Sequence, residues 1–163
     1  VDARSAGGLG PALLAEILRH AEEGYPEEVC GLVVGRRDAP ETYAVRRLAN
    51  VAGEVGPAGR DGRPRDARRA YWADPRDIMR VDEEAAAHEW QYVLLYHSHP
   101  DVGAYFSTMD RQWALTPGGR PLWEGVAYLV VSVRDGVADE ARLYSWDPAR
   151  RDFREGMVTL PAV

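Results

Sequence analysis

The sequence predicts an α/β or α+β domain in which helices cover a sheet, and three observations predict it. Apolar runs of strand length, such as 92–96 and 126–133, are mixed with two longer stretches whose apolar residues recur at helical spacing. No internal repeat is present. A chain of 163 residues with 28% charged side chains suits one ordinary domain with a proper core.

Taken in order, residues 1–10 are small and glycine-rich and read as a flexible N-terminal arm, with a single domain over 11–163. Leu13, Leu14, Ile17, Leu18 and Ala21 mark a helix over 11–23, with Pro11 in its first turn and Gly24 as its C-terminal cap. His20 within it reads as a surface or boundary residue. Residues 29–34 form a nearly continuous apolar run, the pattern of a strand buried on both faces. Glu28 stands at its mouth, and Glu27 should face the other way. A second strand is expected over 42–48, antiparallel to the first across a turn at Asp38-Ala39-Pro40, and Asn50 ends it. Residues 52–68 are mostly Gly, Pro, Arg and Asp and read as a mobile insertion. Ala70-Tyr71-Trp72 would return as a short strand. A helix opens at Asp74 or Pro75 and runs to about 89, with Ile78, Val81, Ala85 and Ala86 inward. His88, near its end, is read as structural. Residues 110–115 would form a short helix, 126–133 a strand, and Asp135-Gly136 a tight hairpin into 141–146. A last strand is expected over 153–160.

Composition narrows the function. The net charge of −6 argues against a general nucleic-acid binder, which needs a basic face. All 20 basic residues are Arg, and Arg60, Arg63, Arg65, Arg68 and Arg69 form a local cluster, read as a solvated loop in preference to a partner-binding patch. No apolar run approaches the roughly 18 residues a membrane helix needs. The single cysteine, Cys30, cannot form an internal disulfide, so a cytoplasmic setting is expected. Nothing near it in sequence would lower its pKa, and it reads as a buried core thiol.

The chemistry concentrates in 97–110, His-Ser-His-Pro-Asp-Val-Gly-Ala-Tyr-Phe-Ser-Thr-Met-Asp. The preceding run 92–96 reads as a buried strand, and side chains two apart on a strand share a face. His97 and His99 therefore project together from its end. Pro100 stops the ladder because it has no N–H to give. The loop with Gly103 can bend back to deliver Asp110 as a third ligand. Two imidazoles and one carboxylate, with a fourth position left to water, make the donor set of a catalytic zinc site. Ser107 also fits the N-cap of a helix carrying an acid three residues later, a rigid way to hold both Ser107 and Asp110.

The whole pattern, His-Ser-His-Pro, six residues, Ser, two residues, Asp, resembles the signature of the JAMM (MPN+) metalloprotease family. Glu28-Val29-Cys30-Gly31 resembles that family's upstream Glu-x-Cys-Gly segment. The resemblance covers about 13–146. It implies a curved mixed sheet flanked by helices, similar to the cytidine-deaminase architecture. It also implies His97, His99 and Asp110 as ligands of Zn2+, Glu28 as general acid/base, and Ser107 as a donor to the substrate oxygen. The chain looks most like the short bacterial branch, which is similar to hydrolases of sulfur-carrier-protein adducts, including carrier–cysteine conjugates. The partner implied is a ubiquitin-like sulfur carrier with a Gly-Gly tail, cut by hydrolysis of the peptide or isopeptide bond after that tail. The loop 103–106 departs from expectation in being aromatic where a polar stretch is expected, which leaves the leaving group open. Two readings stand beside this one: a zinc amidohydrolase of small amides, and a non-catalytic scaffold of the same fold, whose members usually lose ligands that this sequence keeps. A third, the DNA-repair-associated branch, tends to carry Asn where this chain has Ser98.

Overall fold

The computed structural model describes residues 9–55 and 62–160. Among the described residues the elements are α1 Pro11–Gly24, β1 Cys30–Arg36, β2 Ala39–Leu48, α2 Pro75–His88, β3 Gln91–Pro100, α3 Thr108–Ala114, β4 Ala127–Arg134, β5 Val137–Asp147 and β6 Asp152–Met157. The strands form one sheet in the order β2-β1-β3-β4-β5-β6. β3 and β4 run parallel and every other neighbouring pair antiparallel, so the sheet is mixed. A parallel pair needs a long crossover. Residues 101–126 supply it, and they carry α3.

Helices cover both faces. Leu14, Ile17 and Ala21 of α1 pack on one face with Val33, Leu94, Tyr96, Leu129 and Val131. Val81 of α2 and Ala114 of α3 pack on the other with Leu32, Val34, Leu95, Tyr128 and Val130. Successive strand residues go to opposite cores, which is why β1, β3 and β4 read as unbroken apolar runs.

Several expectations change in detail. Gly24 is the last residue of α1 and not its cap; Tyr25 turns the chain. The glycine is required by close approach, since a Cβ there would collide with the Val29 side chain. Gly31 is required for the same reason against the Tyr96 ring. The Tyr96 hydroxyl lies 2.7 Å from His20 Nδ1, and burial followed by the Arg47 charge lowers the His20 pKa to about 4. β2 begins at Ala39, so Pro40 lies inside a strand; β2 is a sheet edge, where a missing N–H is tolerated. The strand expected at 70–72 is reduced to one bridge, Asn50 to Ala73. The Asp135-Gly136 turn has positive φ at both residues, 50° and 81°, the geometry of a tight hairpin that lets β5 start at Val137. β6 ends at Met157, before the expected 160.

Of the arm expected over 1–10, residues 1–8 lie outside the described residues, and Leu9 packs in the α1-side core. Of the insertion expected over 52–68, residues 56–61, with Arg60 of the arginine cluster, lie outside them as well. Ala52 is buried, and the Ala67 carbonyl accepts the Glu28 N–H at 2.8 Å. Cys30 is buried, and burial above all pushes its thiol up to about 12. No helix among the described residues is long and apolar enough to cross a membrane.

Candidate metal centre

His97 and His99 leave the same face of β3 at its C-terminal end, where the ladder to β4 runs on to Pro100 opposite Val133. Asp110 reaches them from the first turn of α3. That helix start is fixed by a capping box: Asp110 N–H donates to Ser107 Oγ at 3.1 Å, and Ser107 N–H donates to Asp110 Oδ2 at 2.8 Å. The three ligand atoms lie within 4.8 Å of one another, and all three residues are buried. His97 Nε2 stands 3.2 Å from His99 Nε2 and 3.3 Å from Asp110 Oδ1, and His99 Nε2 is 3.8 Å from Asp110 Oδ2. A tetrahedral ion with bonds of about 2.0–2.1 Å has ligand–ligand edges of about 3.3–3.4 Å. The triangle therefore fits a small cation that prefers nitrogen and oxygen donors.

The outer contacts aim the donors inward. His99 Nδ1 faces the Gly103 carbonyl at 3.0 Å, and donation there leaves the Nε2 lone pair pointing to the centre. His97 Nδ1 is buried with no hydrogen-bonding partner among the described residues. Its ring is held by stacking on Tyr71 instead, with centroids 4.6 Å apart and planes 28° apart. The loop that carries Gly103 is gripped from β5. Ala104 N–H donates to Glu140 Oε2 at 3.2 Å, and the Tyr144 hydroxyl donates to the Ala104 carbonyl at 2.8 Å. The aromatic character of the loop now has a structural reason. Phe106 is a core anchor stacked on Tyr144 at 4.9 Å, and Tyr105 lies beside the His99 ring at 5.0 Å with about half its surface exposed.

Glu28 is buried just before β1, whose first residue, Cys30, pairs with His97. Burial is the main cause lifting its carboxyl to about 7; the His97 imidazole lowers it and the Asp110 carboxylate raises it, so both are within electrostatic reach. Ser98, between the two histidines, faces the other side and ties the strands there. Its Oγ accepts the Val29 N–H at 2.9 Å, and its own N–H donates to the Val29 carbonyl at 3.0 Å. Within the centre, burial would lower the His97 pKa, but the Asp110 carboxylate outweighs it and raises it. Burial and then the His97 charge lower His99 to about 4. Burial would raise Asp110, yet His97 and Ser107 hold it below the usual carboxylate range.

Of the residues nominated from sequence, His97, His99 and Asp110 form one group, Ser107 is hydrogen-bonded to Asp110, and Glu28 is buried within electrostatic reach of His97 and Asp110. Sequence reasoning missed Tyr71, Glu140 and Tyr144. The return of aromatics at 71–72 after a polar stretch was a usable signal for the first; nothing local in sequence pointed to the other two.

A family model described as prokaryotic homologs of the JAB domain matches residues 10–147. The chain is 33% identical over 148 residues to a protein of Haloferax volcanii named desampylase, covering 88% of each chain. It is similar to a solved structure from Salinibacter ruber, with a TM-score of 0.58 and 27% identity over 93% of this chain and 90% of that one. A second solved structure, from Desulfitobacterium hafniense, has a TM-score of 0.60 over 91% of this chain and 88% of that one. At 24% identity it speaks to the fold alone.

Proposed function

The chain belongs to the family of prokaryotic JAB-domain homologs and is a hydrolase of that family, and on that premise we propose that it is a zinc-dependent hydrolase of peptide or isopeptide bonds. The bond cut is the one after the C-terminal Gly-Gly of a ubiquitin-like sulfur carrier or its adducts. The observation that carries this reading is the convergence of two imidazoles and a carboxylate with ligand spacing suited to Zn2+ and a buried glutamate beside them. His97 Nε2, His99 Nε2 and one Asp110 oxygen would hold the ion. When bound, zinc supplies Lewis acidity that makes water a nucleophile near neutral pH.

The chain's own residues do the rest. Glu28, buried near the histidines, takes a proton from the attacking water as the C–O bond forms. It hands that proton to the amide nitrogen as the C–N bond breaks, so acid and amine leave with protons balanced. The Ser107 hydroxyl already accepts the Asp110 N–H and keeps its own proton to donate to the oxygen that becomes negative. Glycine before the cut suits a narrow channel because it has no Cβ to clash. The resemblance to the short bacterial branch supports the sulfur-carrier substrate.

The test is a mass measurement. A carrier ending in Gly-Gly-cysteine should lose one residue, while one ending in Gly-Ala-cysteine should resist; the reaction should stop with a chelator and resume with zinc. Cleavage of neither carrier by a zinc-loaded enzyme still active on unrelated amides would favour the small-amide hydrolase.

A further inference from the structure

Glu28 lies one residue pair outside the ladder that should hold it. β1 pairs with both neighbours from Cys30 onward, so neither strand offers the Glu28 carbonyl a partner. Tyr71, whose ring orients His97, lies in a segment joined to the sheet side by one bridge. Backbone bonds hold part of each, Glu28 N–H to the Ala67 carbonyl and Val51 N–H to the Trp72 carbonyl, and one side chain links the two. Asn50 Nδ2 donates to the Glu28 carbonyl at 2.8 Å and to the Ala70 carbonyl at 3.1 Å. Asn50 Oδ1 accepts the Ala52 N–H and the Trp72 N–H, each at 3.0 Å. A side-chain amide has two donors and two lone pairs, and here all four are used. The Ala70 carbonyl and the Trp72 N–H belong to the two peptides that flank Tyr71, so the amide grips that residue on both sides. Rotation or a flip of the amide would break every bond at once.

We propose that Asn50 is a positioning residue for hydrolysis, fixing Glu28 and Tyr71 against the metal centre together. This rests on the reading of Glu28 as the proton-transfer group. Sub-ångström placement of such a group governs rate more than binding, and a misplacement of about 1 Å can cost about 100-fold.

The experiment is a double-mutant cycle on the zinc-loaded chain, with zinc content and folded fraction measured for each variant and a Gly-Gly-cysteine carrier as substrate. At saturating zinc, Asn50→Ala should lower kcat by about 100-fold with KM within about threefold, and through Tyr71 it should weaken zinc binding in a chelator competition. In the Glu28→Gln background the same change should cause no further loss, because there is no proton-transfer group left to misplace. Asn50→Asp keeps the volume and both accepted bonds, but turns an oxygen toward the two carbonyls and adds a charge, so it serves if the alanine variant fails to fold; it should show at least the same kcat loss. Equal losses in both backgrounds, or a wild-type kcat in the folded Asn50 variants, overturn the proposal. Failure of both variants to fold overturns it too, since the amide would then be a determinant of folding. A fully active Glu28→Gln enzyme is a separate result that removes the reading of Glu28 itself.

Discussion

Two side chains set the behaviour of the centre. Glu28 has a folded pKa of about 7, raised mainly by burial, against about 4.3 for an unperturbed glutamate. The folded state therefore binds the proton more tightly than the unfolded chain does. The corresponding stability is full below about pH 4 and is lost as pH rises through 7. In metal-free protein, Glu28→Gln should match the wild type at low pH and exceed it above pH 7 by on the order of 3 kcal/mol, read from denaturant midpoints at pH 4 and 8. Equal midpoints at pH 8 would mean that the carboxyl is solvated and poorly placed to hold a proton. Tyr71 holds the plane of the His97 ring by stacking, whereas the Gly103 carbonyl holds His99 by accepting from its Nδ1. Loss of such outer support typically weakens metal binding by about 10- to 100-fold. Tyr71→Ala should show that drop in a chelator competition while Tyr105→Ala, changed at a half-exposed ring, should not.

At the scale of elements, the centre joins the end of β3 to the start of α3, and the segment after β2 closes over both. Composition made 52–68 look expendable, because it carries almost no large apolar group. Its stem nevertheless contributes a buried Ala52 and the Ala67 carbonyl that accepts the Glu28 N–H. A buried donor left without its partner costs about 1–3 kcal/mol. For a domain of this size each kcal/mol lowers the melting midpoint by roughly 2–4 °C. Replacing 52–68 with a short Gly-Ser link should therefore lower the midpoint by several degrees and slow hydrolysis, with the loss traced to Glu28. An unchanged midpoint would show that water satisfies the Glu28 amide as well as Ala67 does.

For the molecule as a whole, the main strands and the His97, His99 and Asp110 group were legible because their signals are local. β1, β3 and β4 announced themselves by unbroken apolar runs, and His97 and His99 by the two-residue period of a strand. What needed three dimensions was every contact between distant segments: the parallel pairing of β3 with β4, Tyr71 against His97, and Glu140 and Tyr144 on a loop 36 and 40 residues away in sequence. A bound metal would tie the end of β3, which offers two donors, to α3 in the crossover to β4, which offers the third. A ligand that binds only the folded state adds stability by mass action, about 4 kcal/mol at 1,000 times its dissociation constant. At roughly 2–4 °C per kcal/mol, saturating zinc should raise the melting midpoint by about 8–16 °C, and a chelator should reverse it. His99→Ala should lose the zinc-dependent rise, because it removes a donor. Glu28→Gln should keep it in full, because the glutamate is assigned to proton transfer and not to the ion. No rise in the wild type would sink the metal assignment; loss of the rise in Glu28→Gln would instead make Glu28 a fourth ligand and leave the proton transfer without a residue.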